Sequence, residues 1–122
     1  MFIKDATSCE KFIAGDNTIL RKLLHPDKAE LKLGYSLAHA TVKPGGTSRK
    51  HRLNSSEVYY ILEGDGLMYI DGERAAVSPG HVIYIPPNSL QYIENTGSSD
   101  LNLLCIVDPA WRQEDEEIVV GG

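Results

Sequence analysis

From about Leu31 onward the chain alternates short runs of β-branched, aromatic and aliphatic residues with clusters of turn-forming residues. Runs of this length between regular turn signals predict an all-β sandwich or barrel. The predicted strands cover 32–42, 57–62, 67–70, 74–77, 81–85, 90–95 and 101–107. Between them lie Gly-, Pro-, Asn- and Ser-rich stretches such as Lys43-Pro44-Gly45-Gly46 and Pro86-Pro87-Asn88-Ser89. Asp71-Gly72 is the strongest hairpin signal, because a two-residue turn that matches strand twist requires positive φ at both central positions.

The two ends read differently. Ile19, Leu20, Leu23 and Leu24 fit a helical stripe, yet Thr18-Ile19-Leu20 equally begins a strand before His25-Pro26 breaks the pattern, so residues 1–30 stay open. Asp108-Pro109-Ala110-Trp111 predicts a short C-terminal helical segment, with Asp at the N-cap and Pro at the first helical position. The acidic run Glu114-Asp115-Glu116-Glu117 reads as a solvated face or frayed tail. Trp111, the single tryptophan, is expected to seal the barrel or an oligomer contact.

Length and composition narrow the class without changing it. A chain of 122 residues suits one domain, 1–122, and 42% hydrophobic with 24% charged residues is ordinary for a globular fold. The longest apolar runs, such as Leu103 to Val107, are too short to cross a bilayer, and Lys4, Asp5 and Glu10 stand where a signal peptide would be apolar. A cytoplasmic protein with no membrane role is the expectation. The net charge of −5 argues against nucleic-acid binding. The nearest basic cluster, Arg49-Lys50-His51-Arg52, reads either as a solvated loop or as charge that steers an anionic small molecule. Cys9 and Cys105 are expected to be free thiols, Cys105 as a small core residue.

Histidine and carboxylate at strand spacing are where chemistry is to be sought, since residues two apart on a strand share a face. His51, Leu53 and Glu57 have the same parity. The spacing Gly45, His51, Glu57, Gly64 resembles the first cupin motif, with Leu53 in its second histidine slot. Gly80, Pro86 and Asn95 resemble the second motif, with Asn88 in a glycine slot and Gln91 in the histidine slot. Asn is a mild replacement, because it tolerates a left-handed backbone; Gln91 is a serious one. The resemblance implies an all-β double-stranded β-helix, the cupin jelly-roll barrel, often a homodimer, with a ligand pocket inside.

In metal-binding cupins those slots hold one divalent ion. The resemblance therefore implies His51, Glu57 and Gln91 as the remaining metal positions, a set short of the imidazoles that transition metals prefer. The alternative is a metal-free polar cluster in which Gln91 donates to Glu57. Parity adds Tyr59 and Ile61 on the face of Glu57, and Ile93 on that of Gln91, as pocket walls or plain core. His25, His39 and His81 are expected to be structural or exposed. Two functions follow: a barrel binding a small polar molecule, such as a sugar or organic acid, at His51, Glu57, Tyr59, Gln91 and Ile93, or a metal-dependent isomerase, lyase or dioxygenase. A third is an interaction protein using an edge strand or the Trp111 segment. The fold alone does not choose among them.

Overall fold

The computed structural model describes residues 1–28 and 31–120. Residues 29 and 30, within the segment that the sequence leaves open, and residues 121 and 122 lie outside the described part. Alternating inward and outward side chains build eleven strands among the described residues: β1 (Phe12–Ile13), β2 (Ile19–Leu24), β3 (Ser36–Val42), β4 (His51–Leu53), β5 (Ser56–Glu63), β6 (Gly66–Ile70), β7 (Glu73–Val77), β8 (Val82–Ile85), β9 (Gln91–Asn95), β10 (Leu101–Asp108) and β11 (Glu116–Ile118). They form a six-stranded sheet, β1-β2-β3-β10-β5-β8, and a five-stranded sheet, β11-β4-β9-β6-β7, paired antiparallel throughout. This is the expected jelly roll.

The seven predicted strands appear with small shifts at their ends, and four more were not separately predicted. The ambiguous stripe at Ile19–Leu24 is strand β2, which takes its hydrogen bonds from β3 through Leu20↔Ala40 and Lys22↔Ala38. Asp71 and Gly72 have φ of 48° and 85°, the backbone that the hairpin requires. Asn88 has φ of 66°, so the substitute in the glycine slot does adopt the left-handed conformation. Gly64 is more tightly constrained: at φ of 85° an added Cβ would lie 2.5 Å from the Asp100 carbonyl oxygen.

The C-terminal segment needs correcting in its details. No helix starts at Asp108-Pro109; that peptide bond is cis, and the helical piece is a 3-10 turn at Gln113–Asp115. The acidic run is not a frayed tail either. Glu116 and Glu117 belong to β11, which pairs with β4 as Glu116↔Leu53 and Glu117↔Arg52.

Between the sheets, Val42, Tyr59, Ile61, Met68, Ile85, Ile93, Leu101 and Leu103 form the buried core. Strand β10 shows the principle most clearly: Leu101, Leu103, Cys105 and Val107 are buried while the residues between them are not. Both cysteines are free, and Cys105 is in the core as expected. Asn95 closes one end by donating to the carbonyls of Val42 and Ser99, and its side-chain oxygen accepts from Gly97 N–H. Among the described residues no helix is long and apolar enough to cross a membrane.

Candidate functional site

His51 and Glu57 face the same space, but from two different strands. His51 lies on β4 of the five-stranded sheet and Glu57 on β5 of the six-stranded sheet, with residues 54 and 55 carrying the chain across. His51 is the register partner of Gln91, and Glu57 that of Val107 and Ile85. Two motif segments therefore approach each other across the barrel interior.

The buried polar groups form a directed chain. The Tyr59 hydroxyl donates to Gln91 Oε1 at 3.1 Å, and Gln91 Nε2 donates to Glu57 Oε1 at 3.0 Å. Gln91 is 1% exposed, so an unsatisfied amide there would be costly; pairing both ends fixes its orientation. His51, 2% exposed, bonds through Nδ1 to the Arg49 carbonyl oxygen at 2.9 Å. A carbonyl only accepts, so Nδ1 carries the proton, and in the neutral ring Nε2 is a bare acceptor.

His51, Glu57, Tyr59 and Ile93 line one cavity of about 140 Å³. Gln91 stands behind it, orienting Glu57, and Ile61 belongs to the core. Other walls come from segments to which no site role was assigned: Phe12, Asp16, Lys22 and Glu116, together with Trp111. Asp16 sits in the turn between β1 and β2, where its Oδ1 accepts from the N–H and hydroxyl of Thr18. Glu116 is placed by β11 and accepts from Trp111 Nε1 at 3.4 Å. The turn signal Gly15-Asp16-Asn17 was legible in the sequence, and Asn17 does have positive φ. Nothing local marked Glu116.

Burial pushes the Glu57 carboxyl up to about 7; His51 and the Gln91 hydrogen bond pull it down, and Asp16 and Glu116 push it further up. Glu116 is also raised, first by burial, with His51 opposing and Asp16 adding to the rise. The Tyr59 hydroxyl and Cys105 thiol are held well above their ordinary values by burial and by Glu57, so neither is a ready nucleophile.

The basic cluster divides by strand alternation. His51 turns inward, Arg52 turns outward to Glu117 at 3.5 Å, and Lys50 lies over the Tyr92 ring. The other histidines have structural bonds or partial burial: His25 Nε2 donates to the Trp111 carbonyl, His81 Nδ1 accepts from Ser78 N–H, and His39 is lowered by burial on β3.

The divalent ion implied by the resemblance does not fit the donors in place. Leu53, 2% exposed, fills one ligand slot with hydrocarbon, and the Gln91 amide oxygen is already taken by Tyr59. Of the slots that the resemblance names, one imidazole and one carboxylate remain, and even with Asp16 and Glu116 lining the same cavity, no group of three or more His, Cys, Asp or Glu among the described residues is arranged to hold a metal.

Comparison with known proteins agrees with this architecture. An uncharacterised protein of Methanocaldococcus jannaschii is 43% identical over 109 residues, covering 88% of this chain and 86% of that one. The oxalate-binding protein of Thermotoga maritima is 31% identical over 71 residues, covering 57% and 59%. Among solved structures, the polyketide cyclase RemF of Streptomyces resistomycificus superposes with a TM-score of 0.82 at 20% identity, covering 100% of this chain and 87% of that one. The family described as the cupin domain matches residues 38–107, more than half of the chain, and contains both motif segments. The chain belongs to the cupin family.

Proposed function

We propose that this cupin binds a small polar molecule in the barrel cavity without the help of a metal. The observation that carries the reading is the hydrogen-bonded chain Tyr59–Gln91–Glu57, which holds a buried carboxyl rigidly at a cavity whose other walls are largely apolar. A few fixed polar groups within apolar walls is the usual make-up of a small-molecule site. The volume, about 140 Å³, is close to the ~150 Å³ cavity that holds benzene, so a ligand of roughly six heavy atoms fits inside. A sugar-like or polyol molecule suits the site better than an organic acid. His51 Nε2 and the carboxyls accept hydrogen bonds, and a second carboxylate would be repelled by Glu57, Glu116 and Asp16.

The test is a ligand screen by NMR on full-length protein treated with chelator. Binding to the chelated protein, weakened in His51→Ala and Gln91→Ala, is expected. Binding that appears only when a divalent metal is restored, with stoichiometric metal in elemental analysis, would overturn the reading in favour of the metal-dependent enzyme.

A second feature supports pairing of two copies. On the outer face of the six-stranded sheet, Tyr60, Leu62, Val82, Tyr84 and Ile106 are exposed, and register joins most of them through Tyr60↔Val82, Val58↔Tyr84 and Ile106↔Val58. A sheet face of this kind can pack on its own copy about a two-fold axis. Light scattering should find a dimer that Tyr84→Lys dissociates. A monomer at all concentrations would refute the pairing. Free Cys9 and Cys105 suit a reducing cytoplasmic location.

A further inference from the structure

The cavity's hydrogen-bonding inventory is lopsided. Three carboxyl-bearing residues line it, and each uses one oxygen within the protein: Asp16 Oδ1 accepts from Thr18, Glu57 Oε1 from Gln91, and Glu116 Oε2 from Trp111. Asp16 Oδ2, Glu57 Oε2 and Glu116 Oε1 accept nothing from the described residues, and none of the three carboxylates belongs to an ion pair there. His51, almost wholly buried, adds a fourth acceptor at Nε2 because its Nδ1–H is spent on Arg49. Most donors nearby are already committed: the Thr18 hydroxyl to Asp16, the Tyr59 hydroxyl to Gln91, and the His25 Nε2–H to the Trp111 carbonyl, which leaves the Ser36 hydroxyl, itself accepting from Trp111 N–H, and the Lys22 ammonium against four acceptors.

The aromatic walls carry the same message independently. The Lys22 ammonium lies 5.3 Å from the Phe12 ring centroid and 5.8 Å from that of Trp111, and all three residues line the cavity. Ring faces attract cations electrostatically, and they hold the Lys22 ammonium although that residue is exposed. An ammonium thus already rests on these walls, while the carboxyl-bearing residues that line the cavity outnumber it.

We propose that the cavity selects a compact ligand bearing a protonated amine, whose N–H groups meet the free acceptors of His51, Glu57 and Glu116 and whose charge offsets the three carboxylates. This rests on the reading that the barrel binds a small polar molecule, and it names the class. A neutral polyol would satisfy the acceptors without compensating the charge; a carboxylate would do neither.

A matched set of probes separates these cases: 1-amino-2-propanol, propane-1,2-diol and lactate, which present ammonium, hydroxyl and carboxylate on nearly the same skeleton. They are titrated into chelated full-length protein at pH 8 and followed by NMR. The amine should bind at least tenfold more tightly than the diol, and lactate should be weakest. Glu116→Gln should weaken the amine about tenfold while leaving the diol little changed. Lys22→Met, which removes the competing ammonium, should tighten the amine severalfold; this gain cannot arise from damage to the fold. Equal or tighter binding of the diol or lactate, lost in His51→Ala, would overturn the amine assignment and leave the binding reading standing. Failure of all three to bind would overturn both. Weaker amine binding in Lys22→Met would also overturn the assignment.

Discussion

Replacing Glu57 by Gln should stabilise the protein above neutral pH while changing it little under mildly acidic conditions. The folded carboxyl titrates at about 7 against an ordinary 4.5. Between those values the folded protein keeps a proton that the unfolded chain has lost, so stability falls as pH rises. Since each pH unit of displacement corresponds to about 1.4 kcal/mol, the loss is about 3 kcal/mol by pH 8. A Gln side chain is neutral at every pH and can still accept from Gln91 Nε2. The Glu57→Gln minus wild-type difference should therefore rise from pH 4.5 to pH 8 by about 3 kcal/mol, whatever constant offset the altered hydrogen bond adds. Urea unfolding monitored by Trp111 fluorescence measures it, and with ordinary denaturant slopes the midpoints should separate by roughly 1–3 M at pH 8. His39, whose lowered value acts in the opposite direction, is present in both proteins and largely cancels. A difference that stays flat between pH 4.5 and 8 would refute the account of Glu57 as a carboxyl destabilised by burial.

Further outcomes follow from the same geometry. Tyr59→Phe leaves Gln91 Oε1 buried without its donor, and calorimetry should show a loss of about 1–2 kcal/mol. Gly64→Ala combines positive φ with a Cβ 2.5 Å from the Asp100 oxygen; chemical unfolding should register a loss of at least about 2 kcal/mol, and a neutral result would contradict the close approach of these loops. Ile61→Ala, at 0% exposure, should cost about 2–5 kcal/mol in the same assay. Asn88→Gly should be nearly neutral and Asn88→Val clearly destabilising, because only the latter forces a β-branched residue into the left-handed region.

Much of this protein was legible in its sequence. Short apolar runs between turn signals located strands such as β9 and β10, and in the structure every second side chain of each is buried. Asp71-Gly72 and Asn88 announced their backbone conformations, because left-handed φ is a local steric property. Motif spacing picked out His51, Glu57 and Gln91, and the substitution of an amide for an imidazole already suggested a donor to Glu57.

Tertiary structure decided the rest. Equal parity in the sequence suggested that His51 and Glu57 share a face of one strand; they share a cavity instead from separate sheets, because the chain turns at residues 54 and 55. The segment Ile19–Leu24 was ambiguous because its apolar residues suit either period; pairing with β3 settled it. Glu116 looked like one acid in a solvated run until β11 paired with β4 and brought it, with Trp111, to the cavity where Asp16 arrives from the other end of the chain. Propensity and periodicity act over a few residues, whereas the burial and mutual repulsion of carboxyls so far apart in sequence arise only once long-range strand pairing has brought them together.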